Sequence, residues 1–101
     1  MRYKILKTEE YDDWLLGETM KSKVQIGKRL EKIESEGHFG SIRDDLGEGV
    51  SELKWVGGRR IYYTLIHKFN VLLLLGGNKN GQSKDITQAQ KILKRYVEDE
   101  T

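Results

Sequence analysis

The chain has no cysteine and no proline, and its apolar runs are short. Without cysteine it can form neither a disulfide nor a thiolate metal site. No stretch approaches the roughly 20 apolar residues that a membrane-spanning helix needs. The first four residues, Met-Arg-Tyr-Lys, lack the apolar core of a signal peptide. We therefore expect a cytoplasmic protein that has no membrane segment.

Metal-ligating patterns are also missing. The two histidines, His38 and His67, are isolated in the sequence, and no carboxylates have the spacing of metal ligands. We predict no metal and no other cofactor. With 101 residues, the chain should form one domain, residues 1–101, around one modest core.

The net charge of +2 conceals a local excess of positive charge. Residues 46–84 contain six lysines and arginines and two glutamates, so this segment carries +4 and the rest of the chain −2. A local basic surface of this kind is typical of a protein that binds a polyanion such as nucleic acid. The alternative is an ordinary solvated face of a sheet.

Hydrophobic periodicity predicts the element order β-α-α-β-β-β-α. Strands are expected at residues 3–7, 50–56, 59–67 and 71–75, with a two-residue hairpin turn at Gly57-Gly58. Thr8 and Thr19 are expected to cap the first two helices, Gly37 to end the second, and residues 38–49 to form a loop. The last helix should run over residues 83–98.

Three sequential strands joined by short turns predict an antiparallel meander. The fold class is therefore α+β: a mainly antiparallel four-stranded sheet with helices packed on one face, leaving the other face open and polar. The position of Tyr63 depends on strand register, because a slip of one residue would exchange it with Tyr62. The predicted core comprises Trp14, Leu30, Leu53, Ile61, Tyr63, Leu73 and Leu93.

Residues 72–86 are the most informative stretch of the chain. They read as a buried strand, a turn at Gly76-Gly77 that presents Lys79, and the start of a helix. The two glycines would permit a positive φ or the close approach of a ligand, and Ser83 or Asp85 can cap the helix. A lysine beside a glutamine and free backbone N–H groups is a good place to hold a phosphate. A polar connecting loop is the alternative.

Three motifs, taken in order, resemble a known family. They are GVSELK at residues 49–54, RIYY at residues 60–63, and LLGGNKNGQSKDI at residues 74–86, with Trp14-Leu15 before them and Ala89 after. The sequence resembles the RelE/ParE superfamily of toxins from type II toxin–antitoxin modules, more narrowly the HigB-like, phage-derived addiction module killer branch. The resemblance spans residues 11–93 and departs from the family pattern in residues 37–45 and at Lys54, where arginine is common.

The resemblance implies a RelE-like fold and cleavage of messenger RNA on the ribosome. In such a reaction the 2′-OH attacks the adjacent phosphate. The enzyme must orient that hydroxyl, stabilise negative charge on the phosphate and protonate the leaving 5′-oxygen. We expect Arg60 and Lys79 to bind the phosphate. Lys54 is a third cation or an acid–base group, unless it pairs with Glu52 across the sheet. Tyr62 either stacks on a base, donates a proton or is a packed sheet tyrosine.

The complete set of candidate residues follows from these roles. The predicted catalytic residues are Arg60, Lys79, Lys54 and Tyr62, and the predicted RNA-binding residues are Arg59, Gln82, Lys84 and Glu52. Gln82 has a capping or loop role as its alternative.

The resemblance also implies partners. They are the ribosome, messenger RNA and a small helix-turn-helix antitoxin of the HigA type that masks the toxin. Two other functions remain open: a ParE-like, non-enzymatic poison of DNA gyrase, and a decayed toxin that only binds an antitoxin.

Overall fold

The computed structural model describes residues 2–100, which contain three α-helices, five strands and one turn of 3-10 helix. In chain order the elements are β1 (Lys4–Lys7), α1 (Glu9–Leu16), α2 (Met20–Glu36), β2 (Ile42–Arg43), β3 (Ser51–Lys54), β4 (Arg59–Ile66), β5 (Asn70–Asn78), the 3-10 helix (Lys79–Gly81) and α3 (Gln82–Glu100). Within this range, no helix has both the length and the apolar character needed to cross a membrane.

The first two helices begin and end where the capping signals place them. The hydroxyl oxygens of Thr8 and Thr19 accept hydrogen bonds from the backbone N–H groups of Tyr11 and Ser22, each at 3.1 Å. Each bond satisfies one of the N–H groups that a helix start leaves without a partner. Gly37 ends α2 in the left-handed conformation, with φ of 69°. These three predictions are confirmed.

The sheet is mainly antiparallel, as predicted, and its strand order is β1-β5-β4-β3-β2. Strand β1 pairs in parallel with β5, and the other pairs are antiparallel. The predicted number of four strands is wrong, because Ile42 and Arg43 pair with Leu53 and Glu52 as a fifth strand. Two residues carry no periodic signal; they become a strand because the edge of β3 offers unpaired backbone groups.

The prediction that helices cover only one face of the sheet is also wrong. On what we call the α1/α2 side, those helices cover Ile61, Tyr63 and Leu73. On the opposite α3 side, α3 covers Tyr62 and Leu72. Neighbouring residues of β4 and β5 are therefore buried on opposite faces. A strand that is apolar on both faces requires cover on both, which removes the predicted open face.

The predicted core is largely confirmed. Five of its members are buried, namely Leu30, Leu53, Ile61, Tyr63 and Leu73. The other two, Trp14 and Leu93, are partly buried and pack against the edges of the core clusters. The register at Tyr63 is the predicted one. A β-bulge then shifts the pairing, so that Tyr62 lies opposite Leu75 and Tyr63 opposite Leu73.

Gly76 and Gly77 do not form the predicted turn. Both belong to β5, which continues to Asn78, and neither has a positive φ. A Cβ atom on Gly76 would lie 2.2 Å from the ring of Trp14, and one on Gly77 would lie 2.2 Å from Oδ2 of Asp85. The glycines are needed because a side chain presses on each face of the strand at this point.

Candidate functional site

The predicted site residues gather at one end of the sheet, where β3 ends, β4 begins and β5 leads into the 3-10 helix. Lys54 lies opposite Arg60 in the β3–β4 pair, and Arg60 lies opposite Gly77 in the β4–β5 pair. The backbone N–H of Lys79 donates to the carbonyl of Gly58 at 2.8 Å. This bond ties the chain after β5 to the β3–β4 turn. The ability of Lys54, Arg60 and Lys79 to reach one phosphate stays a prediction.

Arg60 is held firmly and is mostly buried, with 12% of its side chain exposed. Its Nη1 donates to the carbonyls of Trp55 and Arg59, at 3.1 and 2.9 Å. Its Nε is buried and lies 3.9 Å from Oε2 of Glu52. At this distance the two groups form an ion pair but no hydrogen bond. Among residues 2–100, Nη2 has no hydrogen-bond partner and is not buried. The guanidinium therefore offers this one amino group to solvent.

Glu52 is completely buried and cannot contact RNA directly, contrary to the prediction. Both of its carboxylate oxygens accept from Nε2 of Gln82, at 3.0 and 3.1 Å. The amide of Gln82, predicted to contact RNA, is therefore bound to protein. The predicted alternative for Lys54, an ion pair with Glu52, does not form among the described residues; Arg60 takes that place.

Tyr62 is also completely buried, so it is a packed sheet tyrosine and cannot stack on a base. Its hydroxyl group is buried and has no hydrogen-bond partner within residues 2–100. Burial, followed by the negative charges of Glu52 and Asp85, raises the pKa of Tyr62 to about 12, against a smaller lowering by Arg60. At neutral pH this phenol keeps its proton.

Lys79 and Lys84 are exposed, whereas Lys54 is partly buried. The aliphatic part of Lys79 lies over Gly58, where an added Cβ would be 3.4 Å from Cγ of the lysine. Gly58 has φ of 106°, a conformation that favours glycine. The β3–β4 turn thus packs against the aliphatic part of Lys79, and the ammonium group lies at the surface.

Arg59 lies on the α1/α2 side of the sheet, away from Arg60. Its Nη1 donates to Oε1 of Gln25 at 3.2 Å, and its Nε lies 3.9 Å from Glu18. Its guanidinium carbon is 5.4 Å from the ring centre of Trp55. Alternation along β4 separates the two arginines, so Arg59 does not join the predicted RNA-binding set at the site.

Sequence reasoning missed the role of Arg29. From α2, this arginine donates hydrogen bonds to the carbonyls of Phe39, Ser41 and Lys54, and its guanidinium carbon lies 4.3 Å from the ring centre of Trp55. It thereby fastens the loop after α2 to the end of β3. The sequence carries no signal for this, because Arg29 looks like any charged residue on a helix surface.

Asp85 is not the predicted cap of the last helix. The side chain of Asn78 caps the preceding 3-10 helix by accepting from the N–H of Asn80 at 2.9 Å. The carboxylate of Asp85 instead packs against the backbone of Gly77. Burial raises the pKa of Asp85 above its ordinary value, and nearby Lys84 partly opposes this.

The raised pKa of Asp85 predicts a stabilising substitution. The folded state binds this proton more tightly than the unfolded state, so stability contributed by the proton is lost as pH rises above the unfolded pKa near 3.8. We expect Asp85→Asn to raise Tm at pH 7, because it removes a partly buried charge. The gain should shrink below about pH 4, where the wild-type carboxyl is itself neutral.

Thermal melts at pH 7 and pH 3 measure this effect. Asp13→Asn is the matched control, because Asp13 is exposed on α1 and should give no comparable gain. A Tm that stays the same or falls in Asp85→Asn at pH 7 would contradict the prediction.

In the part of the chain that the structure describes, no three His, Asp or Glu side chains come together as metal ligands. The site instead combines the exposed Lys79 and the partly buried Arg60 and Lys54 with the fully buried Glu52 and Tyr62 and the partly buried Gln82 and Asp85.

Three comparisons with known proteins bear on the fold and the family. No family model matches the sequence. A Haemophilus influenzae protein described only as uncharacterised is 33% identical over 93 residues, which cover 89% of this chain and 92% of that protein. The free Escherichia coli toxin RelE, solved as a double arginine-to-alanine mutant, matches with a TM-score of 0.71 at 16% identity, over 94% of this chain and 98% of RelE. The RelE-like fold is thereby confirmed.

Proposed function

Because this chain belongs to the same family as the Haemophilus influenzae protein and has the fold of the toxin RelE, we propose that it is a type II toxin of the HigB-like branch that cleaves messenger RNA on the ribosome. It would act in the cytoplasm and be neutralised by a helix-turn-helix antitoxin. The position of Arg60 is the observation that carries this proposal.

The geometry of Arg60 suits the binding of a scissile phosphate. The guanidinium is held by hydrogen bonds to two carbonyls and lies 3.9 Å from a carboxylate, and its Nη2 is left without a partner among the described residues. Lys79 and Lys54 lie at the same end of the sheet. Preorganised cations of this kind stabilise the charge that develops when a 2′-OH attacks the adjacent phosphate. The products are a 2′,3′-cyclic phosphate and a free 5′-OH.

Among residues 2–100, the site offers no exposed histidine or tyrosine that could serve as a general base. The Tyr62 phenol is buried and keeps its proton at neutral pH. We therefore propose that the ribosome helps to place the message, so that orientation of the 2′-OH supplies much of the rate. Purified toxin should cut free RNA poorly and ribosome-bound RNA well.

One experiment distinguishes this function from the alternatives. The protein is expressed in growing cells, RNA 5′ ends are mapped, and DNA supercoiling is assayed in parallel. New 5′ ends within translated messages, with unchanged supercoiling, would support the proposal. Changed supercoiling without new RNA ends would identify a ParE-like gyrase poison. Normal growth with neither change would identify a decayed toxin.

We propose that the antitoxin binds mainly the helical side, where a groove of about 440 Å³ runs beside α2, Phe39 and Trp55. Three cations of α2 line it, and none of the described residues that line it is acidic; the cations are Lys28, Arg29 and Lys32. Such a groove is complementary to an acidic segment of a partner and would leave the catalytic end partly open.

Charge reversal on α2 should therefore weaken antitoxin binding. Within residues 21–36, Lys28→Glu with Lys32→Glu is the preferred pair, because both side chains line the groove and neither has a structural hydrogen bond among residues 2–100. We expect a larger loss of affinity, measured by calorimetry, than from Arg60→Ala with Lys79→Ala. Lys91→Glu with Lys94→Glu on α3 is the control. Equal or greater loss from the Arg60 and Lys79 changes would place the antitoxin on the catalytic end.

A further inference from the structure

Glu52 is the only charged residue among residues 2–100 that is fully buried. Burying a carboxylate is costly unless other groups in the protein compensate for the lost hydration. Here the compensating groups come from two other elements: Arg60 of β4 and Gln82, the first residue of α3. Stability alone therefore does not explain why this position is a glutamate.

The contacts around Glu52 form a chain that ends at the guanidinium of Arg60. Nε2 of Gln82 donates to both carboxylate oxygens, at 3.0 and 3.1 Å, which prevents the carboxylate from rotating away. Oε2 of Glu52 lies 3.9 Å from Nε of Arg60. The opposite edge of the guanidinium is held through Nη1 by the carbonyls of Trp55 and Arg59.

The two sets of contacts together determine which way Arg60 points. The carbonyls alone could hold Nη1 while the rest of the guanidinium turned about that atom. The negative charge of Glu52 attracts the Nε end while the carbonyls hold Nη1, so Nη2 is left as the one nitrogen that has no partner among the described residues and is not buried. Without that charge, Nε would remain a buried cationic donor with nothing opposite it, and the side chain would turn towards water.

We propose that Glu52 is a positioning residue, which orients Arg60 for the phosphate and is itself held by Gln82. This inference rests on the proposed function for its catalytic consequence. Glu52 and Gln82 therefore do not make the RNA contacts expected from the sequence but link α3, β3 and β4 to one another. Glu52 acts through Arg60 and touches no substrate.

Glu52→Gln tests the proposal, because it retains the shape of the side chain and removes the charge. In a cleavage assay on ribosome-bound message, we expect the rate at saturation to fall by roughly tenfold to a hundredfold, since the cation at the phosphate is misplaced. In an Arg60→Ala background the same change should cause no further loss, because residues that act as a unit are not additive. Glu31→Gln, on the exposed surface of α2, is the matched control.

A second measurement does not depend on activity. In ¹⁵N NMR spectra of the wild-type protein, the buried Nε–H of Arg60 should exchange slowly with water. In Glu52→Gln it should exchange at least about tenfold faster, while backbone spectra and thermal melts show an intact fold. If Glu52→Gln does not fold, Gln82→Ala serves in its place, because it frees the carboxylate without removing it.

The outcomes separate this inference from the proposed function. Loss of cleavage that disappears in the Arg60→Ala background, together with faster Nε–H exchange, supports both. Full cleavage by Glu52→Gln, or further loss in the Arg60→Ala background, overturns the positioning role. If the wild type cuts no message, the proposed function fails, and the NMR measurement alone tests the positioning role. Unchanged exchange of the Arg60 Nε–H in Glu52→Gln would then overturn that role. Faster exchange would uphold it.

Discussion

Replacing Arg60 and Lys79 together by alanine should abolish growth arrest and reduce cleavage of ribosome-bound message by at least about a hundredfold. Loss of one preorganised charge contact in a site of this kind costs on the order of 3 kcal/mol of transition-state stabilisation. Arg60 contributes a fixed guanidinium, and Lys79 contributes an exposed ammonium supported by Gly58. Cleavage is measured by mapping 5′ ends in a translation extract.

The control for this prediction removes the same amount of charge elsewhere. Lys91→Ala with Lys94→Ala changes two exposed lysines of α3 and should leave toxicity intact. Both double mutants should still bind the antitoxin, although Arg60→Ala should lower Tm because it removes a group that compensates the buried charge of Glu52. Undiminished toxicity in the Arg60→Ala, Lys79→Ala protein would remove the proposed site.

Gly76→Ala should be strongly destabilising, although it adds only one methyl group. The added Cβ would lie 2.2 to 2.4 Å from three atoms of the Trp14 ring, so the ring or strand β5 must move. Overpacking of this kind costs about 1–3 kcal/mol. For a domain of this size, that corresponds to a fall in Tm of roughly 5–20 °C.

Gly57→Ala is the matched control, because a Cβ there would meet nothing within 4 Å and the residue has no positive φ. Its Tm should be close to that of the wild type. The double mutant Gly76→Ala, Trp14→Ala should lose less stability than the sum of the two single mutants, since the clash is then absent. A Gly76→Ala protein as stable as the wild type would refute the account of this glycine.

Local signals predicted most of the fold. Thr8, Thr19 and Gly37 mark helix boundaries through bonds within a few residues, so their effect can be read without knowing the rest of the structure. The α+β class follows from the periodicity of the strands. The two-residue strand β2 and the cover on both faces could not be read this way, because each depends on a partner far away in the sequence.

The candidate site was predicted less completely. Arg60, Lys54 and Lys79 do lie at one end of the sheet, because the β-hairpin register brings them there. Alternation along β4 also explains why Arg59 faces away from Arg60. The burial of Glu52 and Tyr62 was missed because the path of α3 across the sheet is not encoded in either strand.

The sequence by itself determined the caps of the first two helices, four of the five strands, the local excess of positive charge and the motifs that resemble the toxin superfamily, since all of these are properties of neighbouring residues. Only the tertiary structure decided what those residues do. Gly76 and Gly77 pair with β4 as part of a strand, and both must be glycine because Trp14 and Asp85 pack against them. Glu52 faces Arg60 rather than a ligand because α3 closes over it and Gln82 holds it. These roles depend on burial and on long-range contacts, which a local sequence pattern does not contain.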